Sequence, residues 1–179
     1  MWELKKRLLL CPLHLHLLCR LLTVFVDYVA GGTQLHLMVA IEFTGSNGDP
    51  RKPGTLHHFH QDGSLNDYEK AIKSVVRILA KYNANKKFPV LGFGAKYDGS
   101  VCHDFQCGNS EGVNGVLEAY HAIFKSGMIM STPTDFNEVI QTATAHAESS
   151  LKTAKQKGGQ RYTMQLSLSD AALCVSDIP

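Results

Sequence analysis

The stretch Leu35–Phe43 (LHLMVAIEF) constrains this chain more than any other, because it is apolar throughout except for His36 and Glu42. A strand with no polar side is buried on both faces. That happens in a sheet covered by helices on each side, not in an antiparallel sheet with one face in water. The run stops at Thr44-Gly-Ser-Asn-Gly-Asp-Pro50, a series of turn formers, so the chain leaves the sheet there.

The rest of the chain fits such a sheet. Tyr68, Ile72, Val75, Val76 and Leu79 recur at helical spacing, and Asn66 with Glu69 predicts an N-cap and its reciprocal partner. Phe88–Phe93 reads as a second strand, after which Gly92 and Gly94 release the backbone. Val113, Val116, Leu117, Tyr120, Ile123 and Phe124 predict a second helix, stopped by Gly127. Phe136, Val139, Ile140, Ala143, Ala147, Leu151 and Ala154 predict a third, and Tyr162–Leu168 a further strand. Alternating strands and helices predict an open α/β sheet with helices on both faces. Sheets of that class bind ligands at the carboxyl ends of their strands.

Length and charge narrow the function. At 179 residues the chain holds one domain, and its net charge of +2 offers no concentrated basic surface for nucleic acid. Five irregularly spaced cysteines make a poor disulfide framework and suit a reducing compartment. Cys102, His103 and Cys107 have loose metal-ligand spacing but no second pair, so free thiols are expected. His57, His58 and His60 fall in a polar stretch and are expected in a solvated loop. The first 24 residues carry Lys5, Lys6 and Arg7 ahead of a leucine-rich run. Pro12, His14, His16 and Arg20 interrupt it, so it reads as an unprocessed or non-native extension that is too polar to span a bilayer.

At the end of the first strand, Glu42, Thr44 and Ser46 place a carboxylate and two hydroxyls at alternate positions of an extended turn. Hard oxygen donors at that spacing can face one hard cation, with water completing the shell. Magnesium suits few protein ligands plus water, whereas calcium wants more oxygens. No nucleophile elbow, phosphate-cradling glycine loop or Ser-His-Asp arrangement is present, so an enzyme is not expected.

Val39–Pro50 (VAIEFTGSNGDP) resembles the first metal loop of copine A domains, usually D-F-T-x-S-N-G-x-P. The resemblance continues through FVDYVAGG, SLNDYEKAI, FPVLGFGA, GVLEAYH and PTDFNEVI, colinear over roughly residues 25–162. It implies a von Willebrand factor A fold, doubly wound with a mostly parallel sheet, here ending before the last strands. Residues 1–24 then stand outside the family, 25–163 form the A domain and 164–179 a diverged tail, because the apolar run expected of a central strand fades after Met164.

The resemblance also implies a metal-ion-dependent adhesion site of Glu42, Thr44 and Ser46, joined by Thr134 and Asp170, holding Mg2+ (or Mn2+ or Ca2+). Thr134 suits a helix N-cap equally well. The family carries aspartate where this chain has Glu42, and the extra methylene alters the reach of the carboxylate. The implied role is protein binding, through a partner carboxylate that completes the coordination shell. The implied setting is calcium-dependent phospholipid-binding signalling, cytoplasmic and peripheral at the plasma membrane. The C2 domains that contact lipid lie outside this sequence, so membrane contact is indirect. The competing expectation is an incomplete fragment without a working cation site.

Overall fold

The computed structural model describes residues 25–170 apart from 84, 98 and 157; the expectations for residues 1–24 and 171–179 lie outside the described residues. Two compact units divide at Thr33 and Gln34. The described part of the first is a short helix, α1 (Phe25–Ala30), whose end is closed by the Gly31 N–H donating to the Asp27 carbonyl at 2.8 Å.

The second unit contains β1 (Gln34–Glu42), a 3-10 turn (Gly45–Asn47), α2 (Asp67–Leu79), β2 (Lys87–Phe93), β3 (Ala95–Tyr97), β4 (Ser100–Cys102), β5 (Phe105–Glu111), α3 (Gly112–Ile123), β6 (Ile129–Met130), α4 (Asn137–Gln156) and β7 (Arg161–Leu168). The main sheet runs β5-β2-β1-β7, and a smaller one runs β4-β3-β6. Strand β1 pairs in parallel with both β2 and β7, whereas β2 and β5 are antiparallel. The α/β class is as expected, but the sheet is mixed. The antiparallel arm arises because the chain returns from β2 through the short β3 and β4 strands, with no crossover helix to reverse its direction.

Strand β1 explains why helices cover both faces. Leu37, Val39, Ile41 and Phe43 share one core with Tyr68, Ile72 and Val76 of α2 and Val116, Tyr120 and Ile123 of α3. Met38 and Ala40 share the other with Leu91, Phe93, and Val139 and Ala143 of α4. The Asn66–Glu69 capping box forms as expected, with the Glu69 N–H donating to Asn66 Oδ1 and the Asn66 N–H to Glu69 Oε2. In α4 the apolar stripe is narrower than its spacing suggested: Ile140 and Leu151 are 52% and 40% exposed.

The strand expected at Tyr162–Leu168 forms as β7 (Arg161–Leu168). It stays in register with β1 from Gln34↔Arg161 to Ile41↔Leu168, and Met164, Leu166 and Leu168 pack on the α2–α3 core. Among the described residues it is an edge strand whose side chains alternate polar and apolar from Thr163 to Leu168 and are fully buried on neither face. No helix among the described residues is long and apolar enough to cross a membrane.

One expectation is overturned in the core itself. His57 is not in a solvated loop but is fully buried, stacked between Tyr68 at a centroid distance of 4.1 Å and Phe43 at 5.4 Å. The polar run around it gave no sign of this, because one residue turns inward while His60 stays exposed. Burial is the main influence on its imidazole and pushes it down from 6.5 to about 4. The unfolded chain therefore takes up a proton near 6.5 that the folded chain refuses until about 4. Stability should be unaffected by this group above pH 6.5 and fall between 6.5 and 4 by about 1.4 kcal/mol per pH unit. Urea unfolding at pH 7.5 and pH 5 is expected to show the parent chain losing about 2 kcal/mol more than His57→Gln, and equal losses would contradict this assignment.

Candidate functional site

Strand β1 ends where its last residue, Glu42, is paired with Phe93 and wholly buried. A carboxylate cannot be left unpaired in such a place without a large desolvation penalty. Here each oxygen receives two donors. Thr44 Oγ1 and Thr134 Oγ1 donate to Oε1, the latter at 3.0 Å. Ser169 Oγ and the Asp170 N–H donate to Oε2, the latter at 3.1 Å. Burial alone would raise the Glu42 carboxyl, but the bonds from Ser169, Thr44, Thr134 and Asp170 hold it below its ordinary value.

The remaining sequence-predicted residues close around the same point. Thr44 Oγ1 and Ser46 Oγ lie 3.1 Å apart, and Ser46 Oγ donates to Asp170 Oδ1 at 3.3 Å. All five residues named from the sequence, Glu42, Thr44, Ser46, Thr134 and Asp170, are thus brought together from three segments. These are the turn after β1, the segment between β6 and α4, and the end of β7. The inner part, Glu42 and Thr44, is buried, while Ser46 and Asp170 are exposed, so the cluster opens to solvent on one side. Burial and then the nearby Glu42 charge push the Asp170 carboxyl up.

Chemically the set is two carboxylates and three hydroxyls, all hard oxygens, with no thiolate or imidazole among them. Such donors fit a hard divalent cation and disfavour a soft one. A cation here would also relieve the repulsion that raises Asp170. Glu42, Thr44, Ser46, Thr134 and Asp170 are the residues that could hold it. Two clefts flank the cluster. One of about 680 Å³ is lined by Gly45, Gly48, Phe59, Phe124 and Met128, and one of about 440 Å³ by Tyr68, Ala71, Leu168 and Asp170.

Thr134 is not a helix cap. Helix α4 begins three residues later, where the Asn137 N–H donates to Asp135 Oδ1 at 2.8 Å, leaving the Thr134 hydroxyl for Glu42. Sequence reasoning did not single out Asn47 or Ser169. Asn47 is buried and donates to the Thr44 carbonyl and hydroxyl, both at 3.3 Å. Asn47 stands inside the loop already marked by the family resemblance, and Ser169 immediately precedes Asp170, which was the available signal for each.

Glycines shape the floor. A Cβ on Gly92 would lie 2.2 Å from the Phe105 ring, and one on Gly94, at φ +77°, would lie 2.3 Å from the Thr44 methyl. Gly92-Phe-Gly94 is therefore close packing rather than a nucleotide loop. Its companion contacts fix the turn: the Gly45 N–H donates to the Ser131 carbonyl at 2.7 Å and the Ser131 N–H to the Gly94 carbonyl at 3.2 Å.

A second cluster of possible ligands is separate from this one. Cys102, Asp104 and Glu138 place donor atoms within 4.8 Å of one another. Each already has a partner: the Cys102 thiol donates to Asp104 at 3.5 Å, Thr142 donates to Asp104 at 2.9 Å, and the His103 N–H donates to Glu138 at 3.0 Å. Cys107 is not part of it; burial against the α2–α3 core pushes its thiol up to about 12. Both cysteines are free, as expected.

Comparison with known proteins gives a consistent family. The copine family model matches residues 55–177. The chain is 37% identical to Protein BONZAI 1 of Arabidopsis thaliana over 157 residues, covering 83% of this chain and 26% of that protein. It is 40% identical to Copine-B of Dictyostelium discoideum over 160 residues, covering 87% and 29%. Protein BONZAI 2 of Arabidopsis thaliana is 38% identical over 157 residues, covering 83% and 26%. The chain therefore spans between 26% and 29% of the length of these curated relatives.

The tight seat under Thr44 has a direct consequence. Gly94→Ala is expected to lower the unfolding free energy by about 1–3 kcal/mol, combining left-handed backbone strain with the clash against Thr44. Guanidinium unfolding measures this, and an unchanged midpoint would contradict the packing described.

Proposed function

The chain belongs to the copine family, and on that footing we propose that it is a von Willebrand factor A-type protein-binding module with a metal-ion-dependent adhesion site. The observation that carries this reading is the convergence of Glu42, Thr44, Ser46, Thr134 and Asp170 through hydrogen bonds of about 3 Å at the carboxyl end of β1. Ligand sites of open α/β sheets lie at that end. The strand order β5-β2-β1-β7, with helices on both faces of β1, also suits the doubly wound A-domain plan.

In this reading Glu42, Thr44, Ser46, Thr134 and Asp170 hold a magnesium or manganese ion, with water in the remaining positions. Calcium is the poorer fit because few of these oxygens are exposed. When bound, the cation would supply Lewis acidity for a carboxylate from a protein partner, and the solvent-exposed Ser46 and Asp170 mark the side from which that partner would approach. The chain's own residues orient the loop and exclude water beneath it. Glu42, hydrogen-bonded by four uncharged donors, stays ionised in the buried half of the site. In this reading the module binds rather than catalyses, since among the described residues no group is placed at the cluster as a general base for turnover. Its setting is cytoplasmic, at the plasma membrane only through other parts of a longer copine or through partners.

Isothermal titration of magnesium, manganese and calcium into the folded chain tests the reading. One equivalent of magnesium or manganese should bind, with Ser46→Ala weakening it at least tenfold while the far-ultraviolet circular dichroism is retained. No binding of any cation to the folded chain would favour a family member whose site has lost its cation.

A further inference from the structure

The cation loop is held from beneath by a pair of stacked rings, neither of which offers an atom to the site. We propose that His57, stacked on Tyr68, is the positioning residue of this site: it fixes the Glu42 main chain while its stacking partner fixes Thr44. The proposal rests on the cation-binding reading for its functional meaning, but its structural content stands apart from it.

The hydrogen bonds allow one proton arrangement. His57 Nε2 lies 3.0 Å from the Glu42 carbonyl, which can only accept, so Nε2 carries the proton. Nδ1 must then accept, and the Tyr120 hydroxyl 2.7 Å away donates to it. Asn66 Nδ2 donates to the same Tyr120 oxygen at 3.2 Å, while Asn66 Oδ1 accepts the Glu69 N–H at the start of α2. Donation therefore runs one way, from the α2 cap through Tyr120 of α3 to the Glu42 carbonyl.

The second arm starts from the ring on which His57 rests. The Tyr68 hydroxyl donates to Asn47 Oδ1 at 2.7 Å, and Asn47 Nδ2 donates to Thr44 Oγ1 and the Thr44 carbonyl. Glu42 and Thr44 are thus tied to two rings packed at 4.1 Å, inside a core that also holds Phe43 and Tyr120. Partners that aim ligands without touching the metal commonly change metal affinity by about 10–100-fold when removed.

Three variants separate positioning from general core packing. His57→Leu removes both ring nitrogens. His57→Gln retains an N–H near the Nε2 position. Tyr68→Phe keeps the stack and deletes one hydroxyl, and so serves if the leucine variant fails to fold. Amide hydrogen exchange is followed at Phe43 and Gly45, whose N–H groups donate to Phe93 and Ser131, and at Val39 and Leu91 deeper in the sheet.

His57→Leu should speed exchange at Phe43 and Gly45 by at least about tenfold with little change at Val39 and Leu91, and should weaken manganese binding by about tenfold or more. His57→Gln should recover most of both, and Tyr68→Phe should weaken manganese binding about threefold to tenfold. Exchange unchanged at the loop, or raised equally throughout the sheet, would overturn the positioning role whether or not manganese binds. Exchange that quickens only at the loop, in a chain whose parent binds no manganese, would support the positioning role and reject the cation reading instead.

Discussion

A carboxylate removed from water must be compensated where it lies, and the arrangement of this domain follows from how Glu42 is compensated. Three of its four donors, from Thr134, Ser169 and Asp170, are distant in sequence and close only in the folded sheet, and the fourth is Thr44 of the adjoining turn. Strand β1 brings the carboxylate to the sheet's end, β7 brings Ser169 and Asp170 by pairing in register with it, and the segment before α4 brings Thr134. Each contact is modest alone. Together they keep the group ionised and make the loop a consequence of the whole fold.

The same arrangement explains why function would concentrate there. The hydroxyls that satisfy the buried carboxylate stand beside a second carboxylate, Asp170, whose charge is poorly tolerated next to Glu42. A divalent cation bound there would remove that conflict. The motif that this loop resembles carries aspartate at this position, and the longer Glu42 side chain is accommodated by its four hydrogen bonds.

Much of this was legible in the sequence, for identifiable reasons. The apolar continuity of Leu35–Phe43 could only mean a strand covered on both faces, and the periodicities of α2 and α3 each pointed to one buried stripe. The clustering of Glu42, Thr44 and Ser46 could be anticipated because one short loop carries them, and resemblance supplied Thr134 and Asp170, which the fold brings to the same point. Other features lacked any local signature. Strand β5 (FQCGNSE) is polar, bends at Gly108 and pairs antiparallel with a shifted register, so no alternation marked it. His57 is buried through a tertiary ring stack that periodicity does not encode, and the Thr134 hydroxyl bonds across the fold instead of capping the helix nearby.

Whether one hard cation sits among these oxygens is decided by anomalous diffraction from crystals grown with manganese. A single strong anomalous peak is expected about 2.0–2.6 Å from the Thr44 and Ser46 oxygens, between Glu42 and Asp170. A peak at Cys102, Asp104 and Glu138 instead, or none in a well-ordered loop, would contradict a cation at this site.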